Sequence, residues 1–149
     1  MNVGSLCTRE VVAVRREITI AEAAALMRRH HIGDLLVLDE ADGHPTPIGI
    51  VTDRDIVVGV VAACLDPAAL TVGDVMQSPL VTFGEAETCD DAVRLMALHG
   101  VRRMPVVDSD AHLVGVITLD DLLPYFAVPL ARLSQLTARG KMREAGTRV

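Results

Sequence analysis

Gly49-Ile-Val-Thr-Asp-Arg-Asp55 and Gly115-Val-Ile-Thr-Leu-Asp-Asp121 are two versions of one phrase. In each, a glycine precedes two β-branched residues, a threonine closes the apolar run, and an aspartate stands three positions after the threonine. β-Branched residues favour a strand, and threonine with an acid at that spacing marks a helix start. Each heptapeptide therefore reads as a strand turning directly into a helix. The likeness extends outward. Thr19-Ile-Ala-Glu-Ala-Ala-Ala-Leu-Met27 aligns with Thr88-Cys-Asp-Asp-Ala-Val-Arg-Leu-Met96 at an offset of 69, which also pairs Val12 with Val81, His30 with His99, Val37 with Val106 and Asp39 with Asp108. The heptapeptides themselves are offset by 66. The slip of three falls between Asp39 and Pro47, a polar stretch with Gly and Pro, where an insertion costs little closure entropy. The chain is two copies of one unit of about sixty residues.

Each copy predicts the order β-α-β-β-α. A short β-branched run (Val11 to Val14; Leu80 to Phe83) precedes a helix capped by Thr19 or Thr88, with Glu22 or Asp91 at capping-box spacing. Ile20, Ala23, Ala24 and Met27, and likewise Cys89, Ala92, Val93 and Met96, form one apolar stripe. Two strands follow (Leu35 to Leu38 and Ile48 to Val51; Met104 to Val107 and Leu113 to Ile117), joined by a turn that Asp39 or Asp108 opens. A second helix starts just past Thr52 or Thr118. The fold class is α/β (α+β): repeat 1 over 3–65, a connecting segment 66–75, repeat 2 over 76–127, and a tail 128–149. In that tail Pro129 to Ala138 is expected to form a short helix with Leu130, Leu133 and Leu136 on one side, followed by a frayed basic end (Lys141, Arg143, Arg148). The second helices are unusual. Ile56 to Leu65 is apolar on all sides and Leu122 to Val128 nearly so, which suits either deep burial between the repeats or the interface of a homodimer.

The chain has 149 residues, half of them apolar but only 2% aromatic, so aliphatic side chains must build the core. A fold of this size needs no metal or disulfide staple. Fourteen basic against twenty acidic residues give a net charge of −6, which argues against a nucleic-acid coat or a polybasic membrane binder. The scarcity of aromatics argues against single-strand binding by base stacking. Cys7, Cys64 and Cys89 are odd in number and lack a CxxC pair, as expected of reduced thiols in a cytoplasmic protein. No secretory signal is visible, and the longest apolar run is far shorter than the ~20 residues of a membrane helix. HExxH, P-loop and GxGxxG motifs are missing. The repeats leave little room for a catalytic domain, so no enzyme activity and no metal site are expected. His30 and His99 lie near helix ends, where a capping or dipole role suffices.

Tandem β-α-β-β-α units carrying Gly-h-h-Thr-x-x-Asp (h apolar), with Val-Arg-Arg-Met-Pro-Val-Val-Asp at 101–108, resemble CBS domains, named after cystathionine β-synthase. The resemblance covers roughly residues 3 to 127. It implies two pseudo-symmetric repeats packed sheet to sheet as a Bateman module, of stand-alone, prokaryotic type. It further implies two inter-repeat clefts able to bind AMP, ADP, ATP or another adenosyl ligand, a role in regulating an unnamed partner protein, and pairing of modules into a homodimer. The other reading is a module with empty clefts that docks a partner through its apolar helical face.

The residues suit ligand binding physically. Thr52 with Asp55, and Thr118 with Asp121, sit where a strand opens into a helix, and free N–H groups there favour negative ligand groups. A carboxylate accepts only, so it matches the two donors of a ribose diol. The same spacing also serves as a plain cap, as at Thr19. For phosphate, the resemblance points to Arg102 and Arg103 in repeat 2; repeat 1 has Gly33 and Asp34 there, but carries Arg54 where repeat 2 has Asp120. The cleft built on Thr118, Asp121 and Arg103 is therefore expected to take a phosphorylated ligand, with Thr52 and Asp55 a close second. Pairing with surface carboxylates is the other use for the two arginines. Ile50 and Val116 are candidate apolar walls for a base, or plain core.

Overall fold

The computed structural model describes residues 1–41 and 43–146, with side chains described within 1–40 and 43–137. Repeat 1 runs β1 (Ala13–Val14), α1 (Ile20–His30), β2 (Asp34–Ala41), β3 (His44–Thr52) and α2 (Asp53–Ile56), the last continued by a π-helical turn, Val57–Val61. A short α3 (Val72–Val75) lies in the connection. Repeat 2 follows with β4 (Phe83–Gly84), α4 (Cys89–His99), β5 (Arg103–Val107), β6 (Leu113–Thr118) and α5 (Leu119–Gly146). Each repeat makes a three-stranded mixed sheet, ordered β1-β2-β3 or β4-β5-β6, whose first pair is parallel and second antiparallel. The sheets meet where β3 packs on β6. This is the duplicated β-α-β-β-α order that the internal likeness predicts, in the pseudo-symmetric, sheet-to-sheet arrangement that the resemblance implies.

The apolar stripes decide the packing. Ile20, Ala23 and Met27 of α1 pack on Leu35, Val37 and Val51, and Cys89, Ala92 and Met96 of α4 pack on Met104, Val106 and Ile117. Thr19 and Glu22 close a full capping box at the start of α1. Both sheets also carry a register shift at equivalent places, after Val37 and after Val106.

Each repeat is completed by a segment that precedes the other. Val3 is fully buried in the core of repeat 2, and Thr8 exchanges two 2.9 Å backbone hydrogen bonds with Val116 along the outer edge of β6. In the same way Val72 is buried in the core of repeat 1, and Gln77 exchanges backbone bonds of 2.8 and 3.2 Å with Ile50 of β3. The glycine that opens each heptapeptide permits this. A Cβ on Gly115 would stand 2.5 Å from the Thr8 carbonyl oxygen, and one on Gly49 would stand 2.7 Å from Met76 Sδ. Glycine is there because another backbone lies across it.

Three expectations need correction. The insertion between Asp39 and Pro47 is not an irregular loop: it lengthens the β2–β3 hairpin, which stays paired out to Ala41 and His44. Pro45 and Pro47 are tolerated there because β3 is a sheet-edge strand. The apolar run after Asp55 is not buried between the repeats. Ile56 and Val60 point into the core of repeat 1, but Val57, Val58 and Val61 are 56%, 59% and 61% exposed. A π turn widens the helix here (Ala62 N–H donates to the Val57 carbonyl) and turns only one side inward. Finally, no separate short helix starts at Pro129. α5 runs unbroken through Pro124 and Pro129 to Gly146, so the backbone at Lys141 and Arg143 is helical rather than frayed, while Arg148 lies outside the described residues. Each proline removes one intrahelical donor, leaving the Asp120 and Tyr125 carbonyls to other partners.

Candidate functional site

The two heptapeptides carry the same local network. Thr52 N–H and Oγ1–H donate to Asp55 Oδ2 at 2.9 and 2.7 Å, and Asp55 N–H donates back to Thr52 Oγ1 at 3.1 Å. At Thr118 and Asp121 the corresponding distances are 2.8, 2.6 and 3.2 Å. Both pairs are thus true helix caps, and each cap engages only one carboxylate oxygen. What happens to the other oxygen separates the two copies. Gln77, on the segment crossing β3, donates its Nε2–H to Asp55 Oδ1 at 2.8 Å. The equivalent residue on the segment crossing β6 is Thr8, and among the described residues nothing donates to Asp121 Oδ1.

A cavity of about 220 Å³ opens at Asp121. It is a true inter-repeat cleft. Thr118, Asp121, Val116 and Met104 come from repeat 2, Ile32, Asp34 and Leu36 come from repeat 1, and the crossing segment contributes Thr8, Glu10, Val11 and Val12. Its volume lies below the roughly 300–1,000 Å³ of enclosed small-molecule sites. The walls are aliphatic and the polar groups few.

Arg103 lines this cleft but is already engaged: its Nη1 lies 2.6 Å from Asp34 Oδ2. The two residues are equivalent under the 69-residue offset, so pseudo-symmetry sets the same position of both repeats face to face with opposite charges. The Asp34 side chain is only 17% exposed. Burial pushes its carboxyl above the usual aspartate range, outweighing the attraction of Arg103, and the nearby charge of Asp53 adds to the rise. Arg102 and Arg54 are exposed and do not line the cleft; Arg102 contributes its carbonyl, which accepts from Leu119 N–H at 2.8 Å. Ile50 is half-buried on β3 beside Gln77, away from this cleft.

Sequence reasoning set Asp34 in the cleft of repeat 1 and missed that it joins Arg103 in this one; it also missed Glu10 as a cleft residue and Gln77 as the group that occupies Asp55. The offset of 69 pairs Asp34 with Arg103 and Gln77 with Thr8, yet which pairs touch depends on how the repeats dock. It also assigned no metal ligands. The fold gathers Asp108, Asp110 and His112 with ligand atoms within 4.8 Å of one another, held by the hydrogen bonds of the β5–β6 turn. No helix among the described residues is long and apolar enough to cross a membrane.

The CBS domain profile matches residues 3–61 and 72–128. The chain belongs to the CBS domain family, whose members are regulatory, non-catalytic modules. It is similar to the uncharacterized protein MK0525 of Methanopyrus kandleri (35% identity; 87% of this chain, 66% of that protein). It is also similar to the CBS domain-containing protein YhcV of Bacillus subtilis (37%; 77% and 78%). The chain therefore spans just under two thirds of the first of these. Among solved structures it resembles the CBS domain pair of protein MJ0100 in complex with 5-methylthioadenosine and S-adenosyl-L-methionine (26% identity, TM-score 0.72, 87% of this chain and 98% of that one). The cytosolic domain of the Mg2+ channel MgtE in complex with ATP is similar as well (31%, 0.70, 83% and 48%). So is the CBS-CP12 protein of bloom-forming cyanobacteria (32%, 0.70, 83% and 66%), and that protein is hexameric. Its assembly overturns the expectation of a simple homodimer through the second helices. Exposed apolar side chains in both repeats, Val57, Val58 and Val61 in repeat 1 and Leu123, Leu130 and Leu133 along α5, offer surface for more contacts than one helix pair makes.

Proposed function

We propose that this chain is a regulatory module that binds an adenosine-containing ligand in the cleft at Thr118 and Asp121. One observation carries the reading: Asp121 lines a cavity shared by both repeats and holds a carboxylate oxygen to which no described residue donates, whereas Gln77 engages its counterpart on Asp55. A free acceptor beside aliphatic walls suits a ribose diol and the face of a base. Relatives in complex with S-adenosyl-L-methionine, 5-methylthioadenosine and ATP support the ligand class. Because the cleft is shared, a ligand that fits one relative orientation of the repeats better than another shifts that orientation, and a partner protein reads the shift. Calorimetric titration with adenosine and its derivatives tests this. Asp121→Ala is expected to weaken binding by about 10- to 100-fold through loss of charge-assisted hydrogen bonds. Asp55→Ala is expected to leave it nearly unchanged. Equal losses in both variants, or no heat from any adenosyl compound, refute the reading. The exposed Val57, Val58 and Val61 favour a second one, in which the apolar face docks a partner protein and the clefts stay empty.

A further inference from the structure

The charges around the cleft narrow its ligand. Glu10, Asp34 and Asp121 bring three carboxylates to its lining, and Arg103 is the one cation among the residues that line it. That cation is spent on Asp34 at 2.6 Å. Asp53 adds a further negative charge just behind Asp34. A phosphate entering here has to break the Arg103–Asp34 pair, strand a mostly buried carboxylate, and remain beside two more. A neutral nucleoside meets none of these costs, and a cationic substituent gains from the uncompensated carboxylates.

We propose that the cleft selects adenosyl ligands without phosphate, neutral or positively charged, and that Asp34 enforces the choice by holding Arg103. This rests on the adenosyl reading above and reverses the expectation, drawn from Arg103 alone, that the cleft suits a phosphorylated ligand. The arginine that would meet a phosphate is present but committed.

Titration of the full chain with adenosine, S-adenosylmethionine and AMP tests the proposal. Adenosine and S-adenosylmethionine are expected to bind at least ~10-fold more tightly than AMP. Added salt is expected to weaken S-adenosylmethionine and to strengthen AMP, because screening acts with opposite sign on the two. Asp34→Asn frees Arg103 and is expected to raise AMP affinity about tenfold while leaving adenosine within about threefold. Glu10→Gln, at an exposed position outside the ion pair, is expected to move S-adenosylmethionine and AMP in opposite directions, weaker and tighter, without risk to the fold. AMP bound as tightly as adenosine by the unaltered chain overturns the selectivity and leaves the adenosyl reading standing. No heat from any of the three overturns the adenosyl reading, and the selectivity with it.

Discussion

Among the described residues a threonine followed three residues later by a carboxylate opens a helix five times, at Thr19, Thr52, Thr71, Thr88 and Thr118. The side-chain contact is nearly the same in all five, with Oγ1–H donating to the acid at 2.6 to 2.8 Å. The motif alone therefore says "helix start" and nothing about ligands. The spare carboxylate oxygen tells the two heptapeptides apart: Gln77 donates to it at Asp55, while at Asp121, which lines the cleft between the repeats, no described residue does. Two residue-scale outcomes follow. Gly115→Ala drives a Cβ against the Thr8 carbonyl and is expected to cost roughly 1–3 kcal/mol, measured by urea unfolding. The raised pKa of Asp34 means that the folded chain holds its proton at a pH where the unfolded chain, near 3.8, has lost it. Its contribution to stability is therefore present at low pH and lost as pH rises from about 4 through the folded value. Stability curves of Asp34→Asn are expected to lack that decline. Glu22, Asp74 and Asp91 act with the opposite sign. Hydrogen bonds from the capping threonines hold their carboxyls below the usual range, so their contribution is lost as pH falls.

At the scale of elements, helices α1 and α4 are built alike and end differently. Both close with a residue in the left-handed region, His31 at φ 54° and Gly100 at φ 64°, which are equivalent positions. A side chain pays for that conformation and glycine does not. His31→Gly is thus expected to raise stability by about 1 kcal/mol, and Gly100→Ala to lower it by a similar amount, although nothing crowds a Cβ at Gly100. Thermal unfolding of the two variants checks both signs. The boundaries of α1 and α4 were legible because cap, stripe and left-handed stop all lie within one local stretch. The course of α5 was not. Its prolines are breakers by local rule, and the helix tolerates them because its outer turns face solvent, where water satisfies the freed carbonyls.

For the whole molecule, the exchange of leading segments matters most. Val3 is buried in the second core, so Val3→Ala is expected to cost about 2 kcal/mol and to accelerate amide exchange in β5 and β6 while sparing β2 and β3. Equal acceleration in both sheets would mean that the repeats unfold as one unit. The same exchange builds the cleft, since Thr8, Glu10, Val11 and Val12 reach it on the way from repeat 2 to β1. A change in the relative angle of the repeats must therefore move this wall.

The amino-acid sequence by itself determined the duplicated β-α-β-β-α order, the faces of the first helices, the strands and the placement of a Thr–Asp pair at each strand-to-helix turn. Period, capping and β-branching act within a few residues, and so they can be read from neighbours alone. The tertiary structure alone decided which of two matching aspartates keeps a free oxygen, why both phrases begin with glycine, and that Arg103 spends its charge on Asp34. Each of these depends on which segment the fold lays across the site, a contact between residues about 20 to 110 positions apart that no local rule encodes.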